Sequence, residues 1–253
     1  MYPEERQQWI VEHARTVGRV EVATLAEDLD VTTETIRRDL KVLERHGLLR
    51  RVHGGAIPVE RLGFEPGLAA RDAVLTAEKE RIAKAALAEL PAEGSIILDA
   101  GTTTARLADA LPLDRELVVV TNGLPIAMSL SSRPNLTVLL VGGRVRGRTL
   151  AAVDTWALHA LADSYVDVAF MGTNGFSVVR GLTTPDTTEA AVKRAMISSA
   201  RRSVLLADHT KVGNDHLARF ASLDDIDLII TDTGIDADDA DQLRAAGPRV
   251  VTV

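Results

Sequence analysis

From Ser95 onward the sequence repeats one pattern: a short run of Val/Ile/Leu character, a small polar residue or glycine, then a stretch with helical spacing. The runs are Ser95–Leu98, Leu117–Thr121, Leu136–Val141, Val166–Met171, Val204–Ala207, Leu228–Thr231 and Arg249–Val253. Each is too short for a buried helix, and none alternates as a half-exposed strand would. Runs of that kind are strands buried on both faces, so the pattern predicts an α/β fold with a largely parallel sheet. Connecting helices are expected at about 103–111, 124–132, 155–162, 187–201 and 238–246. Aromatic residues make up 3% of the chain, so the core must be aliphatic.

The first 57 residues read differently. Thr32 to Gly47 forms one helix, with Thr32 as N-cap and Gly47 as its stop. Ile36, Leu40 and Leu43 give a core stripe, and Arg37, Arg38, Lys41 and Arg45 fall mostly off it. Ahead of it lie a first helix over 4–16, with Trp9, Ile10, Ala14 and Val17 inward, and a short helix from Thr24 to Leu29. Behind it, Leu48 to Ile57 reads as two short strands around a turn. Helix, helix, turn, helix and β-wing make a winged helix-turn-helix. Thr33 and Thr35 suit close approach to base edges, Arg37, Arg38 and Lys41 suit guanine edges and phosphates, and Arg50 and Arg51 sit where a wing meets backbone phosphates. His53 has two readings, a phosphate contact and a turn-stabilising histidine.

Net charge is −7, which by itself argues against nucleic acid. The distribution argues the other way, because 37–53 holds six basic residues and two acidic ones. A basic segment on an acidic chain favours local groove docking over general polyanion adhesion. The expected domains are 1–57, a DNA-binding module; 58–75, a linker broken by Gly63, Pro66 and Gly67; and 76–253, an α/β sensor whose first helix runs from a Thr76 cap to Leu90. The start of the sequence is not a signal peptide, no run has membrane-spanning length, and a cytoplasmic location follows. There is no cysteine, and the six histidines do not fall at metal-ligand spacing. No Walker A, GxSxG or HExxH motif occurs. No metal and no cofactor is expected.

Ligands of α/β sheets bind beyond the carboxyl ends of the strands. Here those ends read Asp99-Ala100-Gly101-Thr102-Thr103-Thr104, Thr121-Asn122-Gly123, Gly142-Gly143-Arg144, Met171-Gly172-Thr173-Asn174-Gly175 and Asp208-His209-Thr210-Lys211. Glycine, hydroxyls and the free N–H groups of a helix start at 101–104 suit a phosphate. The effector-binding set is therefore Asp99, Gly101, Thr102, Thr103, Thr104, Thr121, Asn122, Gly142, Gly143, Gly172, Asn174, Glu189, Asp208 and Lys211. Asp99 either binds a sugar hydroxyl or caps its own turn. Lys211 either neutralises phosphate, acts as a catalytic ammonium or is a surface lysine. Glu189 and Lys193, four apart on one helix, also read as an ordinary ion pair.

The chain resembles the DeoR family of bacterial sugar-operon repressors over nearly its whole length. The resemblance rests on Val31-Thr32-Thr33-Glu34-Thr35-Ile36-Arg37-Arg38-Asp39-Leu40, on Arg51-Val52-His53-Gly54-Gly55-Ala56, and in the sensor on Asp99-Ala100-Gly101-Thr102-Thr103-Thr104, Val120-Thr121-Asn122, Gly142-Gly143, Gly181-Leu182-Thr183-Thr184 and Asp208-His209-Thr210-Lys211. It implies a sensor similar in fold to ribose-5-phosphate isomerase that serves as a receptor and not as an enzyme. It places an inducer's phosphate at Gly101–Thr104 with Asp208 and Lys211 nearby. Within the family the chain looks most like actinobacterial repressors of fructose utilisation, which makes fructose 1-phosphate the expected inducer. Ligand is expected to release a homodimer or homotetramer from double-stranded operator DNA. Asp154 departs from the pattern, since many relatives have glycine there. The competing reading is a sugar-phosphate isomerase with an appended helical domain, Asp99 or Asp208 as general base and Lys211 stabilising an enediolate.

Overall fold

The computed structural model describes residues 3–45, 48–58, 65 and 67–253. Gly47, expected to stop a helix, and Gly63 and Pro66 of the linker lie outside the described residues. The chain divides into two compact units, 1–65 and 66–253.

In the first unit α1 (Pro3–Val17), β1 (Val20–Glu21), α2 (Val22–Asp28), α3 (Thr33–Arg45), β2 (Leu49–Val52) and β3 (Gly55–Pro58) follow in order. The core is Ile10, Val11, Ala14, Leu25, Ile36, Leu40, Leu43 and Leu49. Val17, expected inward, is instead half exposed. Asp30 takes a left-handed conformation (φ 50°) between α2 and α3, a geometry a short acidic side chain tolerates. Thr32 caps α3 as expected: its Oγ1 accepts the Thr35 N–H at 3.2 Å. Strands β2 and β3 form the wing hairpin, and β1 pairs on the far side of β3. Gly55 is required there, because any Cβ would run into the Val20 carbonyl.

The second unit begins with α4 (Leu68–Asp72) and α5 (Thr76–Ala86), then β4 (Gly94–Leu98), α6 (Thr102–Ala110), β5 (Leu117–Thr121), α7 (Leu124–Leu130) and β6 (Leu136–Leu140). Next come β7 (Arg144–Val145), β8 (Ala152–Val153), α8 (Thr155–Ala162), β9 (Val166–Met171), β10 (Gly175–Ser177), β11 (Gly181–Thr184) and α9 (Thr187–Ser198). The chain ends with β12 (Ala200–Leu206), β13 (Ala218–Ala221), β14 (Leu228–Thr231), α10 (Ala237–Ala245) and β15 (Arg249–Thr252).

Seven strands form one parallel sheet in the order β15-β14-β12-β9-β4-β5-β6. Successive residues serve opposite layers, as the pleat demands. Ile96 and Leu98 meet Ile82, Leu107 and Ile126 from α5, α6 and α7. Ile97 and Ala169 meet Ala157, Val192 and Leu243 from α8, α9 and α10. Burying each such aliphatic side chain stabilises the fold by about 1.5–3 kcal/mol before entropy is counted.

Several expectations need correcting. The stretch read as a linker contains α4, whose Leu68 N–H donates to the Arg148 carbonyl at 3.0 Å. Thr76 does not cap α5: the N-cap is Leu75 at φ 52°, and the Thr76 hydroxyl turns back to the Asp72 carbonyl. Helix α9 stops at Ser198, and β12 begins at Ala200, carrying Arg201 and Arg202 into the sheet beside β9. Strand β6 is an edge and leaves Leu139 and Leu140 half exposed, so that run is not covered on both faces. A three-stranded sheet (β10-β11-β13) and the β7–β8 hairpin were not foreseen.

Candidate functional site

In the winged unit the core stripe of α3 fixes which side chains face out. At about 100° per residue, Arg38 and Lys41 lie roughly opposite Ile36, Leu40 and Leu43, with Arg37 on the flank and Thr33 at the stripe's edge in the first turn. Thr33, Arg37, Arg38 and Lys41 are exposed, and Thr35 is half-buried. Among the described residues Arg37 makes loose contacts, 3.5 Å to Thr33 Oγ1 and 3.4 Å to Glu34. The two acidic residues of 37–53 are both engaged. Asp39 is buried and accepts from Arg6 Nε at 2.6 Å and Gln7 Nε2 at 2.8 Å, fastening α3 to α1. Glu44 accepts from Arg51 Nε at 2.8 Å and the Arg51 N–H at 3.0 Å. Those two bonds hold the Glu44 carboxyl below its usual range. Arg51 therefore ties the wing to α3, with its guanidinium half exposed. Arg50 is half-buried in β2, and His53 is exposed at the hairpin tip, its carbonyl accepting from Arg19. Basic charge is thus left on one face while its acidic neighbours are tied up.

In the second unit the strand order reverses between β4 and β9: β5 and β6 extend from one side of β4, and β9, β12, β14 and β15 from the other. That crevice is where open parallel sheets bind ligands. Asp99 lies at its floor, fully buried. Its Oδ2 accepts the Gly172 N–H at 2.9 Å across the crevice and pairs with Lys193. Lys193 Nζ also donates to the Gly172 carbonyl at 3.1 Å and lies 3.8 Å from Glu189. Beside Asp99, α6 opens at Gly101 with no side chain capping its N-terminus. Thr102 and Thr103 lie on that first turn, and the Thr104 hydroxyl sits 2.6 Å from the Asp99 carbonyl and 3.0 Å from that of Gly101.

A second cluster adjoins this turn. Asp208 is buried and accepts from the Thr210 hydroxyl and N–H, with Lys211 Nζ at 4.0 Å. Burial pushes the Asp208 carboxyl up, but Lys211, the Thr210 hydroxyl and Lys79 outweigh it and hold it low. Lys79, from α5, donates to the carbonyls of Arg71 and Val74. Burial brings it down to about 8 against the charges of Asp208 and Asp72, with Lys211 and Arg106 adding to the fall. Arg106 bonds Asp72 and the Thr102 carbonyl.

The third group lies on the β7–β8 hairpin. Arg146 pairs with Glu189 and, at 3.2 Å, with Asp186. Burial raises the Asp186 carboxyl, but bonds from Thr188 and the Glu189 N–H, with Arg146, bring it below its usual value. Arg144 pairs with Asp154 at 2.6 Å and is held more firmly protonated by it. Asp154 adopts φ 76°, ψ −169°, a region natural to glycine, which gives its departure from the family pattern a backbone cost.

The structure thus brings Asp99, Gly172 and Glu189 together through Lys193, and groups Asp208 and Lys211 with Lys79 and Arg106, whose guanidinium bonds the Thr102 carbonyl. Other candidates hold backbone instead. Thr121 Oγ1 bonds the Leu98 carbonyl and the Gly123 N–H, and Asn122 bonds the Ala100 N–H and the Ala152 carbonyl, both fully buried. These two residues brace the strand ends. Gly143 (φ 142°) packs its α-carbon on the Val153 carbonyl, Gly142 is exposed beside it, and the Asn174 carboxamide accepts from Thr184. Lys79, Arg146 and Lys193 were missed. Lys193 carried a signal: it falls on the apolar stripe of α9 between Ala190 and Met196, where a surface lysine has no place. Among the described residues no group of three potential ligands could hold a metal ion, and no helix is long and apolar enough to cross a membrane.

Comparison with known proteins matches both units. Residues 6–61 match the family described as DeoR-like helix-turn-helix domain, and residues 75–233 match the DeoR C terminal sensor domain. The chain is 40% identical over 252 residues to the HTH-type transcriptional regulator GlpR of Haloferax volcanii, covering 99% of this chain and 98% of that one. It is 31% identical over 228 residues to the glycerol-3-phosphate regulon repressor of Escherichia coli, covering 90% of each. Among solved structures, ribose 5-phosphate isomerase A of Neisseria gonorrhoeae aligns over 55% of this chain and 54% of its own, at 14% identity and a TM-score of 0.39. Two family matches in the right order, with relatives aligned nearly end to end, decide between regulator and isomerase: the chain belongs to the DeoR family of DNA-binding transcriptional regulators and is not an enzyme.

Proposed function

We propose that this regulator represses a sugar-utilisation operon and leaves its operator when a phosphorylated sugar binds between β4 and β9. The observation that carries the reading is the pairing, in one chain, of an outward basic face on α3 with an uncapped helix start flanked by Lys79, Arg106 and Lys211. The first suits DNA; the second suits a phosphate. Arg37, Arg38 and Lys41 grip the major groove, Thr33 and Thr35 approach bases or phosphates, and Arg50, Arg51 and His53 meet the flanking backbone. In the sensor, Thr102–Thr104 and Lys211 take the phosphate, and Asp99, Glu189 and Asp208 order the site around the sugar.

On this reading residues 1–57 are the DNA-binding domain, 58–75 the connection and 76–253 the sensor. The protein works in the cytoplasm as a homodimer or homotetramer, since one short helix covers too few base pairs for specificity. Effector binding shifts a conformational equilibrium that sets the spacing of two recognition helices. Fructose 1-phosphate is the leading candidate, and the name of the Escherichia coli relative, a glycerol-3-phosphate regulon repressor, supports the wider class of phosphorylated small polyols.

The test is quantitative binding to DNA upstream of the gene at fixed salt. Arg37→Ala removes one contact per half-site, each worth about 1–3 kcal/mol, and should cost at least ~10-fold in operator affinity while sugar-phosphate binding is unchanged. Equal operator affinity in variant and parent refutes the assignment of α3.

A further inference from the structure

The effector reading leaves one group without a task. Lys193 is 2% exposed, on the core-facing side of α9, with its ammonium 5.4 Å from the centre of the Phe220 ring. A lysine in such a place is costly unless paired. Its partners are at the switch point itself: Asp99 Oδ2 on one lip of the crevice, the Gly172 carbonyl on the other, and Glu189 behind. Asp99 Oδ2 is therefore doubly satisfied, by Lys193 and the Gly172 N–H. Asp99 Oδ1 is enclosed and, among the described residues, receives no donor. An enclosed carboxylate oxygen lacking a donor is unfavourable.

We propose that Lys193 is a specificity-determining residue: by neutralising Asp99 from within, it makes this end of the crevice a receptor for an uncharged hydroxyl and closes it to a second phosphate. The inference rests on the effector reading above and deepens it. A hydroxyl supplies the hydrogen-bond donor that Asp99 Oδ1 lacks. A phosphate dianion has none to give, and would face three carboxylates, Asp99, Asp186 and Glu189, against two cations, Lys193 and Arg146. The neighbouring cluster has the opposite balance, Lys79, Arg106 and Lys211 against Asp72 and Asp208. The crevice is thus polarised, with an anion-accepting end and a hydroxyl-accepting end. The ligand class with that polarity is a polyol monophosphate. Lys193 acts through Asp99 and is a positioning residue.

Calorimetric titration of the full chain with inorganic phosphate, fructose 1-phosphate, fructose 6-phosphate, glycerol 3-phosphate and fructose 1,6-bisphosphate tests this. In the parent at least one monophosphate should bind ~10-fold or more tighter than inorganic phosphate, and ~10-fold or more tighter than the bisphosphate, because a site built around a hydroxyl discriminates strongly against ligands that misplace it. Lys193→Met should abolish the preference for that monophosphate over inorganic phosphate and leave inorganic phosphate within about twofold, as expected for a group that acts only at the hydroxyl end. Lys193→Arg should recover part of it. If Lys193→Met fails to fold, the Asp99→Asn/Lys193→Met pair, which leaves no buried charge unmatched, carries the same expectation. Bisphosphate binding as tight as monophosphate in the parent overturns the proposal. So does a folded variant that weakens inorganic phosphate as much as the monophosphate, or one that keeps the preference intact. Those results leave the effector reading standing, whereas a parent that binds none of the five ligands removes both.

Discussion

Replacing Asp39 with alanine should strongly destabilise the winged unit and leave the α/β unit's stability unchanged. Asp39 is buried on α3, and its two oxygens accept from Arg6 Nε at 2.6 Å and Gln7 Nε2 at 2.8 Å on α1. Its side chain is 3% exposed and that of Arg6 10%, so solvent screens the pair little. Removing one partner of a buried pair strands the other charge and costs about 3–5 kcal/mol. At 0.05–0.15 kcal/mol per residue, a unit of roughly 60 residues has only about 3–9 kcal/mol in all. The loss thus removes at least about a third of its stability and lowers its midpoint by ~12 °C or more, at 4–8 °C per kcal/mol for a domain of this size. Trp9 reports on this unit: it stacks on His13 within α1 at 4.7 Å, whereas Trp156, in the other unit, is largely exposed already. Thermal melts followed by tryptophan fluorescence and by calorimetry should show an early transition that the parent lacks. Arg6→Met combined with Asp39→Leu should melt near the parent, because apolar replacement of both partners leaves no stranded charge. A single Asp39→Ala variant melting within about 2 °C of the parent would refute the reasoning, since a shift that small corresponds to well under 1 kcal/mol here.

Three other outcomes follow from particular residues. Lys79 is lowered to about 8 by burial, so the unfolded chain binds more protons than the folded one between there and 10.5. Stability should therefore rise with pH across that window relative to Lys79→Met, and parallel denaturation profiles for the two proteins would contradict the assignment. At Asp154, φ 76° and ψ −169° strain any side chain. Asp154→Gly and Asp154→Ala both lose the pair with Arg144, yet the glycine variant should be more stable by about 1–2 kcal/mol in urea titrations; equal stability would mean the backbone relaxes. Gly55→Ala should destabilise the wing by about 1–3 kcal/mol, because the new methyl meets the Val20 carbonyl, and hydrogen exchange at Val20 and Ala56 would be the first to accelerate.

Much of this was legible in the sequence where one period dominates. The Ile36/Leu40/Leu43 stripe gave α3 and its outward arginines, and runs of Val/Ile/Leu character gave all seven parallel strands, because both signals come from residues close together in the chain. What escaped depends on distant partners. Strands β10, β11 and β13 are short and rich in Gly and Thr, and are strands only because they pair with each other. Arg201 and Arg202 look like a helix end but join β12 beside β9, with Arg202 reaching Glu89 at 2.5 Å. Leu75 takes a left-handed turn that leucine itself does not favour, so α5 starts without its expected cap. At the site, Asp99 and Gly172 could each be placed at a strand end but not as neighbours, and the Lys193 ammonium that joins them was legible only as one half of an ordinary i,i+4 pair with Glu189. Thr121 and Asn122 look like ligands by type, and their bonds to backbone at the strand ends are set by which backbone groups lie opposite them.

The measurement that bears most directly on the account is a binding titration of the purified full chain against DNA upstream of its gene, at fixed salt, with sugar phosphates added singly. The account predicts tight, sequence-specific binding that a polyol monophosphate releases at micromolar-to-millimolar concentration and that Arg37→Ala weakens by at least ~10-fold. Binding no tighter than to unrelated DNA, or specific binding that no phosphorylated sugar alters, would contradict it.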